Sequence, residues 1–195
     1  MSVRPRNRPR PLLVRRLPLI APTKRASRYR AGVDEPTLTA VIEIPGGSRN
    51  KYELHPDSGN IFLDRMLFTA TRYPADYGFI DGTLGGDGDA LDALVFVGEP
   101  TFPGCHIEVR AVGMFVMRDE KGVDEKVLCV PLRDPAWSHV QELSDLRQTL
   151  LAEIEHFFSV YKDLEDAPTE TDGFRDRDEA LVTIRDARER LASQP

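Results

Sequence analysis

Apolar positions along the chain follow two patterns. Through residues 38–130, short apolar and β-branched runs alternate with clusters of Gly, Pro, Asn and Asp, whereas after about Leu146 the apolar residues recur every three or four positions. The first pattern predicts strands joined by tight turns and the second predicts amphipathic helices. LTAVIEI, from Leu38, reads as a strand; GGSRN turns the chain, and KYEL, HPDSG and NIFLDR read as strand, turn and strand. ALVFV (93–97) reads as a short continuous apolar strand, HIEVRAVGMFVM (106–117) as a long strand bent at Gly113, and KVLCV (126–130) as another. Leu150, Ile154, Phe157 and Tyr161 mark one helix, and Leu181, Ile184 and Leu191 mark a thinner stripe on a second over 178–191. Strands first and helices last predict an α+β fold. Short strands with tight turns suggest a small antiparallel barrel.

Residues 1–35 follow neither pattern. Residues 1–33 hold ten Lys and Arg and no Asp or Glu, with five prolines among them. A self-repelling, Pro-rich stretch reads as a disordered extension ahead of a catalytic domain at 36–195. A basic arm for nucleic acid, polyphosphate or a partner, a targeting peptide, or an over-extended gene start would share that composition. The rest of the chain is correspondingly acidic: residues 34–195 carry 16 Lys and Arg against 32 Asp and Glu, a balance of −16. Such a body repels polyanions unless cations or a local basic pocket intervene.

With 195 residues, the chain can build one core of ordinary size. No run approaches the roughly 20 apolar residues of a membrane span. Pro, Arg and Lys interrupt every apolar run in the first 30 residues, which argues against a secretory signal. Cys105 and Cys129 lie in apolar contexts without metal-ligand spacing, so they read as free buried thiols of a reducing cytoplasm.

The sharpest chemical feature is GGDGDALDALVFV, with Asp87, Asp89 and Asp92 inside six residues just before a strand. Carboxylates this close repel one another unless a cation or shared proton compensates. Oxygen ligands on a Gly-flanked loop suit Mg²⁺, which takes few carboxylates plus water and phosphate oxygens. A solvated acidic loop is the plainer alternative. An EF-hand does not fit, because the twelfth position from Asp87 is Gly98 rather than Glu. Asp119 and Asp124 flank a second Gly turn, with Lys126 beyond it; a hairpin tip alone would explain them. Lys51 and Glu53, two apart on a strand, share a face. Arg65, Tyr73, Tyr77, Tyr161 and Lys162 complete the candidates, each of which could serve only as an ion-pair partner or core residue.

Six blocks, in their order, resemble the family I soluble inorganic pyrophosphatases over roughly residues 41–165: VIEIPGGSRNKYE, LDR, YPADYGFIDGTLGGDGDALD, FPG, VGMFVMRDEKGVDEKVLCVP and HFFSVYKDLE. The resemblance implies an OB-like five-stranded barrel with flanking strands and two C-terminal helices outside it. It implies hydrolysis of pyrophosphate to two orthophosphates with several Mg²⁺ ions, Mn²⁺ being the alternative, and a homohexameric assembly in the cytoplasm. Asp87, Asp92 and Asp124 match ligands of the tightest metal, and Asp119 with Asp124 match ligands of a metal that arrives with substrate. Glu43 and Glu53 match supporting acids, and Asp89 matches the general base. Lys51, Arg65, Tyr77, Lys126, Tyr161 and Lys162 match groups that hold the phosphoryl ends, and Tyr73 matches a tyrosine lining the site.

Three departures stand out. Ala90 occupies a position that is usually Pro, DAPTETDGF follows YKDLE in place of a basic-aromatic segment, and the basic extension has no counterpart in the short bacterial form. Two readings compete with this one. An OB-like nucleic-acid module would use the basic arm, but the barrel region is acidic and lacks the aromatic and basic strands that stack bases. A nucleotide hydrolase would be expected to carry a P-loop or Rossmann glycines, and neither pattern is present.

Overall fold

The protein's structure, a computed structural model, describes residues 37–120, 122–165, 167 and 169–194. The extension inferred for residues 1–35 lies outside the described residues. Among the described residues, eight strands and two α-helices follow one another: β1 (Leu38–Ile44), β2 (Asn50–His55), β3 (Asn60–Met66), β4 (Asp76–Ile80), β5 (Asp92–Val95), β6 (His106–Asp119), β7 (Gly122–Pro131), α1 (Gln148–Val160), β8 (Glu170–Arg175) and α2 (Arg177–Ala192).

Five strands close into a ring in the order β1-β4-β5-β7-β6, because β6 also pairs with β1, and β8 adds to β6 outside the ring. The length of β6 makes this branching feasible. Its first residues pair with β1, as in Thr39↔Glu108, and its later ones with β8, as in Phe115↔Phe174. Between these parts the β6–β7 register slips from Ala111 to Gly113, a bulge that bends the strand beside the expected glycine. The ring departs from the antiparallel expectation at one pair: β5 and β7 run parallel, with Asp92 opposite Lys126.

Alternation assigns each strand two apolar faces. Leu94, Phe96, Leu128 and Val130 pack with Ile154, Phe157 and Phe158 of α1. Ala93, Val95, Val127 and Cys129 pack with Ile184 and Ala187 of α2. Burial on both faces explains why these strands read as continuous apolar runs rather than alternating ones. The Asp176 side chain caps α2 by accepting from the Glu179 N–H at 3.0 Å. β2 and β3 form a separate two-stranded ribbon.

Several boundaries moved from expectation. The β5 ladder ends at Val95, β7 starts at Gly122 rather than Lys126, and neither β4 nor β8 was foreseen. Cys129 is buried, but Cys105 is only partly so, correcting the reading of both thiols as buried.

Candidate active site

Three strands bring the chemistry together. Asp124, Lys126 and Leu128 lie on one face of β7, and Asp92 with Leu94 on the matching face of β5, so the parallel register sets Asp92 beside Lys126. Lys126 Nζ donates to Asp92 Oδ2 at 2.7 Å and to both oxygens of Asp124 at 2.7 and 2.8 Å. It also donates to the Tyr77 hydroxyl at 3.0 Å, and that hydroxyl in turn donates to Asp92 Oδ2. The Lys126 side chain is 2% exposed and lies over the rings of Tyr77 and Phe158. Burial alone would strip its proton, but Asp92 and Asp124 reverse that and hold it cationic. Burial raises the Asp124 carboxyl, with Lys126 pulling the other way and Asp92 adding to the rise.

The aspartate loop between β4 and β5 is braced from within. Thr83 Oγ1 donates to Ile80 O at 2.6 Å and accepts from the Leu91 N–H at 3.0 Å, closing the loop at its neck. Gly85 N–H donates to Asp89 O at 2.6 Å, and Asp87 Oδ1 accepts from the Asp89 N–H at 3.2 Å. A Cβ on Gly85 would fall 2.8 Å from Asp87 Oδ1 and 3.1 Å from Asp89 O, so a side chain there would push the Asp87 carboxylate aside and crowd the Asp89 carbonyl. Asp87 and Asp89 are exposed at its tip.

Two bulges aim carboxylates into the same space. The β1–β4 register runs Ile42↔Gly78 and then Ile44↔Tyr77, leaving Glu43 as the extra residue. Freed from the ladder, Glu43 Oε1 accepts the Leu54 N–H at 2.7 Å. Burial pushes its carboxyl up to about 7, aided by the charge of Asp92 and opposed by the Leu54 N–H. On the ribbon, Lys51 pairs with Arg65 and Tyr52 with Leu63, so Asp64 is the extra residue. That bulge lets neighbours in sequence, Asp64 and Arg65, both face Lys51. Lys51 Nζ bonds Glu53 and, at 3.3 Å, Asp64 Oδ2.

At the far side, Tyr161 caps α1 and Lys162 follows, with Lys162 Nζ donating to Asp119 Oδ2 at 3.1 Å. Tyr73 and Tyr161 are buried against Phe157, and burial raises both phenols. One cavity of about 1060 Å³ is lined by all fourteen residues singled out from the sequence: Glu43, Lys51, Glu53, Arg65, Tyr73, Tyr77, Asp87, Asp89, Asp92, Asp119, Asp124, Lys126, Tyr161 and Lys162. Sequence reasoning missed Asp64, Glu120 and Glu165, which line it as partners of these cations. Asp64 sits inside the LDR block and Glu165 closes the HFFSVYKDLE block, but nothing local marks Glu165 as a partner of Arg65, 100 positions away.

The family model for inorganic pyrophosphatase matches residues 40–192, most of the chain. The chain belongs to the inorganic pyrophosphatase family. Its activity is the hydrolysis of inorganic pyrophosphate to two orthophosphates. An inorganic pyrophosphatase of Streptomyces coelicolor is 60% identical over 124 residues, spanning 64% of this chain and 76% of that one. Its counterpart in Methanosarcina mazei is 50% identical over 154 residues, spanning 79% and 91%. The crystal structure of inorganic pyrophosphatase from Thermus thermophilus superposes with a TM-score of 0.79 at 44% identity, covering 85% of this chain and 97% of that one. The OB-like barrel of the family is thus the ring of five strands described above. Among the described residues, no helix is long and apolar enough to cross a membrane.

Proposed function

We propose that this cavity is the pyrophosphatase active site and that its fourteen residues divide the work as the family resemblance implies. The observation that carries the reading is the pairing of Lys126 with Asp92 and Asp124 at the wall of a large acidic cavity. Among the described residues, no three acidic, His or Cys side chains are drawn together as a ready metal cage. The donors nevertheless suit a hard divalent cation: they are all carboxylate oxygens, and Glu43 and Asp124 carry raised carboxyls that added positive charge would relieve. Asp87, Asp92, Asp119 and Asp124 would hold Mg²⁺, with Glu43 and Glu53 supporting it. Bound divalent cations supply charge neutralisation and acidify water.

The chain's own groups do the rest. Asp89, exposed at the loop tip, accepts the proton of the attacking water. Lys51, Arg65, Lys126 and Lys162 bring cations to the two phosphoryl ends. Tyr77 and Tyr161 stay protonated because burial raises their phenols; Tyr161 donates to a phosphate oxygen, Tyr77 does so by turning its one O–H away from Asp92, and Tyr73 lines the wall beside them. Two free cysteines accord with a reducing cytoplasm. A homohexamer would cover side chains that a single chain leaves exposed, such as Leu63 at 58%, Phe68 at 58% and Phe102 at 65%.

Phosphate release from pyrophosphate and from ATP, with and without EDTA, tests the reading. Release from pyrophosphate that needs Mg²⁺ and far exceeds release from ATP is expected; its absence would end the proposal. Asp89→Asn should lower kcat by about 10²–10⁴ while thermal stability stays at the wild-type value. Light scattering on a sizing column distinguishes the hexamer from the 21.9 kDa monomer.

A further inference from the structure

Each nitrogen of the Arg65 guanidinium meets a carboxylate. Nε donates to Glu165 Oε1 at 3.2 Å and Nη2 to Glu165 Oε2 at 2.7 Å, while Nη1 donates to Asp64 Oδ2 at 2.5 Å. The two bonds to Glu165 form a fork, the strongest and most directional way to hold a guanidinium. A fork on the Nε–Nη2 edge leaves one N–H on each of Nη1 and Nη2 at the opposite edge. Glu165 itself is 13% exposed, against 34% for Asp64. Its backbone is fixed too, because its N–H donates to Lys162 O at 2.8 Å in the turn after α1.

That fork joins the ribbon directly to the turn after α1. Arg65 belongs to the β2–β3 ribbon, which among the described residues shares no ladder with the six-stranded sheet. Glu165 closes the turn that carries Tyr161 and Lys162. We propose that Glu165 is a positioning residue for the hydrolysis of pyrophosphate: it holds the back edge of Arg65, so that the remaining N–H pair faces a phosphate oxygen at a fixed span from Lys162. This rests on the reading of the cavity as the pyrophosphate site. An incoming phosphate displaces the more exposed Asp64, not the fork.

The opposite role, a decoy carboxylate that substrate must push aside, predicts the reverse kinetics. Steady-state hydrolysis of pyrophosphate at saturating Mg²⁺ by wild type, Glu165→Gln, Arg65→Lys and the double variant separates the two. Glu165→Gln should raise KM about tenfold with kcat within about twofold, since a loosened Arg65 loses binding common to ground and transition states. Lysine cannot form the fork, so in the Arg65→Lys background the same change should alter KM by less than about twofold. A KM that falls or stays level, or an equal rise in both backgrounds, overturns the proposal. If Glu165→Gln does not fold, Glu165→Asp, which keeps the charge on a shorter stem, supplies the same comparison. Wild-type enzyme inactive on pyrophosphate would sink the functional reading and this inference with it; active wild type with an unaltered Glu165→Gln sinks this inference alone.

Discussion

Replacing Lys126 with methionine probes the charge balance at the centre of the cavity. Methionine keeps most of the side-chain volume and removes the ammonium. Asp92 Oδ2 and Asp124 Oδ1 each lie 2.7 Å from that ammonium, so the two oxygens are no more than twice that distance apart. Two unit charges about 5 Å apart repel by roughly 3 kcal/mol at an effective dielectric of about 20. Removing one partner from a buried pair costs about 3–5 kcal/mol by the same logic of uncompensated charge. In a domain of this size 1 kcal/mol moves the melting temperature by about 2–4 °C. Without metal at pH 8, Lys126→Met should therefore melt about 6–20 °C below wild type.

A divalent cation would take over the lysine's electrostatic role. At 100 times its dissociation constant a bound ion returns about 2.7 kcal/mol. In wild type the ion must compete with Lys126, so the rise on adding Mg²⁺ should be larger in the variant. The assay is scanning calorimetry in EDTA and in excess MgCl₂. A variant melting within about 2 °C of wild type in EDTA would refute the argument. So would a Mg²⁺-induced rise no greater than that of wild type.

Two further outcomes follow from the same geometry. Glu43, with a folded-state value of about 7 against 4.5 unfolded, favours the fold below pH 4.5, and this contribution is lost as pH rises through 7. Glu43→Gln should thus stabilise metal-free protein at pH 8 by at most roughly 3 kcal/mol, a gain that vanishes towards pH 4.5 in pH-resolved melting; a gain independent of pH would contradict it. Gly78→Ala would drive a Cβ onto the Val41 carbonyl and to 2.9 Å from the Ile42 Cα, both backbone of β1. Overpacking that no rotamer can relieve should cost more than about 3 kcal/mol, read as loss of soluble protein or a collapsed melting temperature.

Much of this was legible in the chain. The apolar runs of β5, β6 and β7 are long or continuous because both faces are buried, and their packing against α1 and α2 bears that out. Gly122 opens β7 opposite Asp119 at the mouth of the hairpin, and its φ of +120° is one that only glycine adopts without strain, so the sequence itself marks this end of the strand. β8 was not legible: ETDGFR contains few strand formers, and it is a strand because Phe174 packs onto the α1 cluster and its backbone completes the outer edge of β6. Asp76 gave no sign of being fully buried. It sits there because Oδ1 accepts the Gly46 N–H, and Oδ2 accepts both the N–H and hydroxyl of Thr101, all distant in sequence.

What periodicity could not convey is where it breaks. A strand displays alternate residues on one face, yet the cavity needs acids at positions that alternation would assign to the ladder. Glu43 and Asp64 are each the extra residue of a bulge, and each thereby turns a carboxylate into the cavity. The parallel β5–β7 pair imposes the complementary demand of no slip at all. A shift of one residue would carry Lys126 to the opposite face and set Val127 beside Asp92. The ammonium would keep Asp124, which shares its strand, but lose Asp92, and Asp92 would lose its cation, a break of a buried pair that costs about 3–5 kcal/mol. The β5–β7 register that helps close the barrel and the charge balance of the cavity are therefore linked through one cross-strand pair, Asp92 and Lys126.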